Sequence, residues 1–196
     1  MPCCLVGSEM CIRDRKYSDS KGRLASILSE QERSDLSKAM ATQTIKALMQ
    51  SNVCDSITLV TNDPDLIIEG ASTYFTESPL NQALNEAIDY NASIHPILIM
   101  HADLPRINDR DLDSLVASFN KSFISIVPDI NESGTNCLLY DPAMKFNLQF
   151  GINSYTLFLT EFKANDHRWN QHSIESLQYD LDSEDDYFKL KDYVRG

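Results

Sequence analysis

Apolar positions along this chain alternate between unbroken runs and helical spacing, and each change of pattern marks an element. Ile97 to Met100 form a run without a polar break, which predicts a strand buried on both faces, as in a parallel sheet covered by helices. The β-rich stretches SITLVTND (56–63), STYFTE (72–77), FISIVPD (123–129) and NCLLYDP (136–142) predict further strands, the last preceded by the turn cluster NESGT. SIESLQYDLD (173–182) reads as a final strand. Between these runs the period lengthens. SEQERSDLSKAMATQTIKALMQS (29–51) opens with a capping box, Ser29 and Glu32, and sets Leu36, Met40, Ala47 and Leu48 at helical spacing. SPLNQALNEAIDYN (78–91) places Ser78 as cap, Pro79 at the first helical position, and Leu80, Leu84, Ala87 and Ile88 on one side. Asn108 caps 109–121, whose first turn is acidic, as the helix dipole prefers. SYTLFLTEF (154–162) predicts a short helix after Gly151. SEDDYFKLKDYV (183–194) predicts a capped terminal helix, with Tyr187, Phe188 and Tyr193 in the core. Strands alternating with helices imply βαβ units, hence an α/β fold with a mostly parallel sheet flanked by helices.

In such sheets ligands sit outside the carboxyl ends of the strands. Two acids fall there, Asp103 in HADLP and Asp182 in YDLDSEDD. Taken singly, the first reads as a turn former and the second as part of a solvated helix N-terminus. Taken together they offer the hard oxygen ligands that Mg²⁺ uses with water and substrate phosphates. Lys16, Lys21 and Arg23 lie in KYSDSKGRL, ahead of the first long helix. Three cations on a turn-rich segment fit either an anion site or a solvated loop, and the glycine spacing of a P-loop is absent. SGTN (133–136) and FGINS (150–154) carry the backbone N–H groups and hydroxyls of a phosphate or carboxylate pocket. His101 shares a strand face with Asp103 and is not taken as a metal ligand. His95, His167 and His172 suggest no dyad with Ser or Cys.

Charge narrows the partners. A formal net charge of −12 and a pI near 4.6 leave no basic stripe for nucleic acid. No apolar run approaches the length that crosses a bilayer, so a soluble cytoplasmic protein is expected. Residues 1–15, MPCCLVGSEMCIRDR, share no period with the rest. They resemble translated sequencing-adapter sequence and are set aside from the fold reading, though CCLVG could also form a short strand. Setting them aside leaves Cys54 and Cys137, which need no disulfide in an intracellular chain.

In order, KYSDSKGRLASILSEQERSDLSKAM, LNQALNEA, PILIMHADLP, VPDINESGTNCLLY, FGINS and YDLDSEDDYFKL resemble the guanylyltransferases that act on 2-phospho-L-lactate or phosphoenolpyruvate in deazaflavin coenzyme (factor 420) biosynthesis. The resemblance implies a Rossmann-like fold of the GT-A nucleotidyltransferase type, GTP as donor and Mg²⁺ as cofactor. It makes Asp103 and Asp182 metal ligands, Lys16, Lys21 and Arg23 the cations on the triphosphate, and Thr135, Gly151 and Ser154 contacts to a three-carbon phospho-acid. One domain, 16–196, is expected, and a homodimer is left open. Two positions depart from the family pattern: Gly22 stands where serine is usual, and Phe158 where a histidine often follows the serine matched by Ser154. The family's first strand should end at Lys16, where the adapter-like segment now stands. Two alternatives remain: a related nucleotidyltransferase with the same fold and a different acceptor and, of another class, a non-catalytic nucleotide-binding homologue.

Overall fold

A computed structural model describes residues 3–7, 21–51, 53–92 and 94–194. Among these, seven strands form one sheet: β1 Cys3–Gly7, β2 Ser56–Thr61, β3 Ser72–Phe75, β4 Ile97–His101, β5 Phe123–Pro128, β6 Thr135–Tyr140 and β7 Arg168–Gln171. Their order across the sheet is β3-β2-β1-β4-β6-β5-β7. β1 lies parallel between β2 and β4, β2 pairs parallel with β3, and β5 pairs parallel with β7. β6 runs antiparallel to both β4 and β5. The mostly parallel sheet read from the sequence is therefore present, with β6 reversed. The CCLVG stretch supplies the backbone of the central strand.

Helices cover both faces. On one, α1 (Glu30–Gln50) and α3 (Asp109–Ala117) bring Ala41, Ile45, Leu48, Leu112 and Leu115 against Leu98 and Met100 of β4. On the other, α2 (Leu80–Asn91) and α4 (Ser154–Ala164) bring Ala83, Leu84, Phe158 and Phe162 against Ile97 and Ile99. Successive β4 residues thus feed opposite layers, which is why the run carries no polar break. Ser29 and Asn108 cap α1 and α3 as their sequences imply. Ser78 does not cap α2. Its hydroxyl donates to Glu86 Oε1 at 2.8 Å, and Pro79 takes the cap position.

The C-terminal third departs further from the sequence reading. Residues 173–182 are not a strand: Glu175–Gln178 form a helical turn, α5, followed by extended chain. Ile174 and Leu177, three residues apart, pack through this turn into the core beneath α1 and α3, whereas Leu181, beyond the turn, is buried with Leu24, Met40 and Leu190; Asn136 Nδ2 donates to Leu177 O at 3.1 Å. Edge strand β7 was not expected, because its residues are mostly exposed and polar. The terminal helix is α6 (Glu184–Leu190), capped by Ser183 and continued by a 3₁₀ turn, Lys191–Tyr193. Tyr187 packs beside Leu24, Met40, Leu181 and Leu190, whereas Phe188 and Tyr193 are exposed and lie outside the core. Cys54 is disulfide-bonded, against the expectation of two lone thiols, while Cys137 is free and buried. Among the described residues no helix is long and apolar enough to cross a membrane.

Candidate active site

Where β4 ends, the chain stays buried through Ala102, Asp103, Leu104 and Pro105. α1 holds that bend from outside, with Thr44 Oγ1 donating to Ala102 O at 3.4 Å and Gln43 Nε2 to Pro105 O at 2.8 Å. Leu181 N–H donates to Asp103 O at 3.1 Å and draws residues 180–182 alongside. Asp182 thus arrives by an extended segment rather than at a strand end. Between the two acids sits Lys21, its Nζ 2.6 Å from Asp103 Oδ2 and 2.5 Å from Asp182 Oδ1. Burial alone would pull the ammonium's pKa down, but the charges and hydrogen bonds of both carboxylates more than reverse this and hold it above its ordinary value. Lys21 in turn keeps Asp182 below the usual carboxylate range against the opposing effect of burial, helped by the charge of exposed Arg23. Asp180, absent from the sequence reading, is pushed up to about 7 by burial first and then by the charges of Asp103 and Asp182.

Two carboxylates already converge on one compact cation, and Asp103 Oδ1 is buried without a hydrogen-bond partner among the described residues. Both are hard oxygen donors at a spacing that one cation bridges, so the pair fits a divalent ion. No group of three or more His, Cys, Asp and Glu is arranged for metal among the described residues. A Mg²⁺ site of one or two carboxylates completed by water and phosphate needs no third. His101 Nδ1 lies 3.9 Å from Asp103 Oδ1, and its ring packs 5.6 Å from that of Phe150.

The second half of the site borders this edge. The β4–β6 register pairs Met100 with Cys137, and continuing it brings Thr135 level with the residues just before Asp103. Thr135 is 1% exposed, and its Oγ1 finds no hydrogen-bond partner among the described residues. The stacking of Phe150 on His101 brings the next residue, Gly151, near the same edge. Asn81 of α2 fixes that bend, its Nδ2 donating to Phe150 O at 3.0 Å and its Oδ1 accepting Phe150 N–H at 2.9 Å. Gly151 has φ +126°, where a side chain would be strained, and its carbonyl accepts Ser154 N–H at 3.1 Å as α4 begins. Ser154 is buried. Phe158 is fully buried, 5.0 Å from the Phe150 ring, so it supports the bend from beneath.

The structure therefore gathers Lys21, Asp103 and Asp182 in direct contact and sets Arg23 within range of Asp182's charge, while Thr135 by strand register and Gly151 next to Phe150, with Ser154 bonded to it, lie toward the same edge of the sheet. Lys16 lies outside the described residues. The Gly134 N–H, expected to be open to an anion, is already given to Asp129 Oδ2 at 2.8 Å. His172, read as unpaired, has Nε2 3.1 Å from Ser125 Oγ, but that serine is 1% exposed and out of a substrate's reach. Asn81, Asp129 and Asp180 had been missed. For Asp129 the one sequence signal is an Asp opening a Ser-Gly loop.

Comparison with known proteins places the chain. It is 27% identical over 185 residues to the phosphoenolpyruvate guanylyltransferase of Sphaerobacter thermophilus, covering 90% of this chain and 88% of that protein. It is 29% identical over 181 residues to the 2-phospho-L-lactate guanylyltransferase of Methanocella arvoryzae, covering 92% and 78% respectively. Among solved structures, a nucleotidyl transferase from Methanothermobacter thermautotrophicus superposes with a TM-score of 0.69 at 15% identity, over 99% of this chain and 97% of that one. A CMP:2-keto-3-deoxy-manno-octonic acid synthetase complexed with CTP gives 0.64 at 10% identity, over 98% of each chain. These likenesses establish a Rossmann-like nucleotidyltransferase fold. The profile described as CofC-like guanylyl transferase matches residues 9–191, and the chain belongs to that family.

Proposed function

We propose that this protein transfers GMP from GTP to the phosphate of a three-carbon phospho-acid, 2-phospho-L-lactate or phosphoenolpyruvate, releasing pyrophosphate, as a soluble cytoplasmic step of factor 420 biosynthesis. The observation that carries the reading is the pair Asp103 and Asp182 converging on one cation at the sheet edge that Thr135 also borders, its buried hydroxyl without a partner among the described residues. In this reading residues 16–196 are the catalytic domain. Residues 1–15 are a foreign segment, and its Cys3–Gly7 backbone fills the place of the family's first strand.

The acceptor's phosphate brings its own nucleophile. A phosphate monoester loses its second proton near pH 6, so at neutral pH the attacking oxygen is already ionised and no general base is needed. One P–O bond forms at the α-phosphorus of GTP, and the bond to the β-phosphate oxygen breaks, its electron pair leaving with pyrophosphate. The remaining barrier is the approach of two anions, which is lowered by positioning and by fixed positive charge. Asp103 and Asp182 would hold Mg²⁺, which when bound would supply charge neutralisation on the phosphates. Lys16, Lys21 and Arg23 stabilise the triphosphate and the departing pyrophosphate. Thr135, Gly151 and Ser154 hold the acid.

The test is pyrophosphate release from Mg²⁺ and GTP, offered phosphoenolpyruvate, 2-phospho-L-lactate or a phosphoglycerate. Release that depends on one of these acids is expected. Release without an acceptor, or none with any acid, would overturn the proposal.

A further inference from the structure

The loop between β5 and β6 is organised around one side chain. Asp129 accepts Asn131 N–H at 3.0 Å and Ser133 N–H at 2.8 Å on Oδ1. Its Oδ2 accepts the Ser133 hydroxyl at 2.9 Å and Gly134 N–H at 2.8 Å. Four donors thus saturate a carboxylate that is 9% exposed. Backbone bonds Asp129 N to Gly134 O and Glu132 N to Asp129 O, both 3.1 Å, close the loop on itself. The N–H groups of this loop are spent on the protein's own anion rather than on a ligand's.

What the loop then holds lies outside it. Gly134 is followed at once by Thr135, whose buried hydroxyl has no partner among the described residues. Ser133 O accepts Tyr155 N–H at 3.3 Å, which ties the loop to the first turn of α4 beside Ser154. Ile130 N–H donates to Gln178 O at 3.0 Å, which ties it to the segment that delivers Asp182. That segment has its own anchors in Leu181 and Lys21, whereas on the loop side of Thr135 the side-chain hydrogen bonds run through Asp129, Asn136 on the strand side donating to Leu177 O. A simple turn former would satisfy its loop without setting an orphaned hydroxyl at the sheet's ligand-binding edge.

We propose that Asp129 is a positioning residue for the acceptor acid: its carboxylate fixes the loop that aims the Thr135 hydroxyl and sets the start of α4 relative to it. The inference rests on the guanylyl-transfer reading and assigns a residue that this reading leaves out. Asp129 touches no substrate and acts only through Thr135 and Ser154.

The experiment measures KM for phosphoenolpyruvate and 2-phospho-L-lactate, KM for GTP, kcat and thermal midpoint in the full chain and in Asp129→Asn. The amide presents an NH₂ group to donors that now meet an oxygen, so Gly134 and Ser133 lose their acceptor. The acceptor KM should rise at least about tenfold, the cost of one weakened ligand hydrogen bond, with the GTP KM within about twofold. Gly134→Ala is the second variant, since a Cβ there would stand 3.0 Å from Asp129 Oδ2 and push the carboxylate aside. It should shift the same constant in the same direction, and it decides the matter if Asp129→Asn does not fold. An unchanged acceptor KM, or a fall in kcat and thermal midpoint alone, refutes the positioning role while leaving guanylyl transfer standing. A wild-type chain inactive with every acid removes both.

Discussion

Replacing Lys21 with methionine keeps the length of the side chain and deletes the charge at the centre of the site. The Lys21 and Asp103 side chains are 5% and 7% exposed, and that of Asp182 is 35% exposed. Removing one member of a buried ion pair costs about 3–5 kcal/mol, because the partner's charge is left uncompensated. Here two carboxylates are left facing one point, yet water reaches Asp182, so the lower end, about 3 kcal/mol, is expected. A domain of ordinary stability, roughly 5–15 kcal/mol, survives this. The urea midpoint should fall by about 1–3 M for slopes typical of small proteins. Mg²⁺ should then restore the variant by about 2.7 kcal/mol at 100 times its Kd, since an ion now enters without displacing an ammonium. Wild type should gain much less, because Lys21 already neutralises the pair. The assay is urea unfolding followed by far-ultraviolet circular dichroism, with Mg²⁺ and with chelator, in both proteins. An unchanged midpoint in Lys21→Met, or equal gains from Mg²⁺, refutes the argument that the ammonium and the divalent ion share one position.

Asp103→Asn should lower guanylyl transfer roughly 100-fold or more with little change in far-ultraviolet circular dichroism. Near-normal turnover at saturating Mg²⁺ would remove Asp103 from the site. Phe158→Ala empties a fully buried position between the Phe150 and Phe162 rings and should cost about 3–5 kcal/mol by chemical denaturation; a loss below about 1 kcal/mol would show that the rings close over the gap. Burial holds the His172 pKa below its ordinary value, so the unfolded chain takes up a proton there more readily. Its contribution to stability is complete above about pH 6.5 and is lost as pH falls through the depressed folded value. His172→Gln should therefore flatten the fall in urea midpoint between about pH 7 and pH 5, and parallel slopes in the two proteins would exclude the histidine as a source.

Inner strand β4 was legible because burial on both faces leaves an unbroken apolar run at Ile97–Met100, and Asp103, which follows the run, borders the candidate site; its inner neighbour β1 was not, because CCLVG had been set aside with residues 1–15. The caps at Ser29, Asn108 and Ser183 were legible because they are local hydrogen bonds between residues three apart. β7 was not: an edge strand with exposed Arg168, Asn170 and Gln171 carries no apolar period and exists because β5 offers it a free side. Asp182 was placed at the right edge for the wrong reason, since it reaches Asp103 through the Leu181 backbone rather than from a strand of its own. The same segment hid Asp180, whose perturbation comes from two acids, only one of them near in sequence. Lys21 was read with Lys16 and Arg23 as part of an anion site or a solvated loop, and its burial between the acids was not foreseen, because the contacts that bury it come from residues 103 and 182. No local pattern carries such a contact.

The middle position of β1 also bears on how the molecule is made. Cys3 pairs in register with Ser56 on one side and Ile97 on the other, so β1, which precedes both in the chain, waits during synthesis for both neighbours. At about 5–20 residues per second that wait lasts several seconds, during which β1 has neither edge satisfied. β2 and β3 pair parallel to each other, but β2 has no inner neighbour until β1 docks. The sheet consequently closes late and from the middle outward, through contacts of long sequence separation, which places the chain among slow folders. β1 thus meets its first demand during synthesis, as a strand that must remain available without pairing elsewhere.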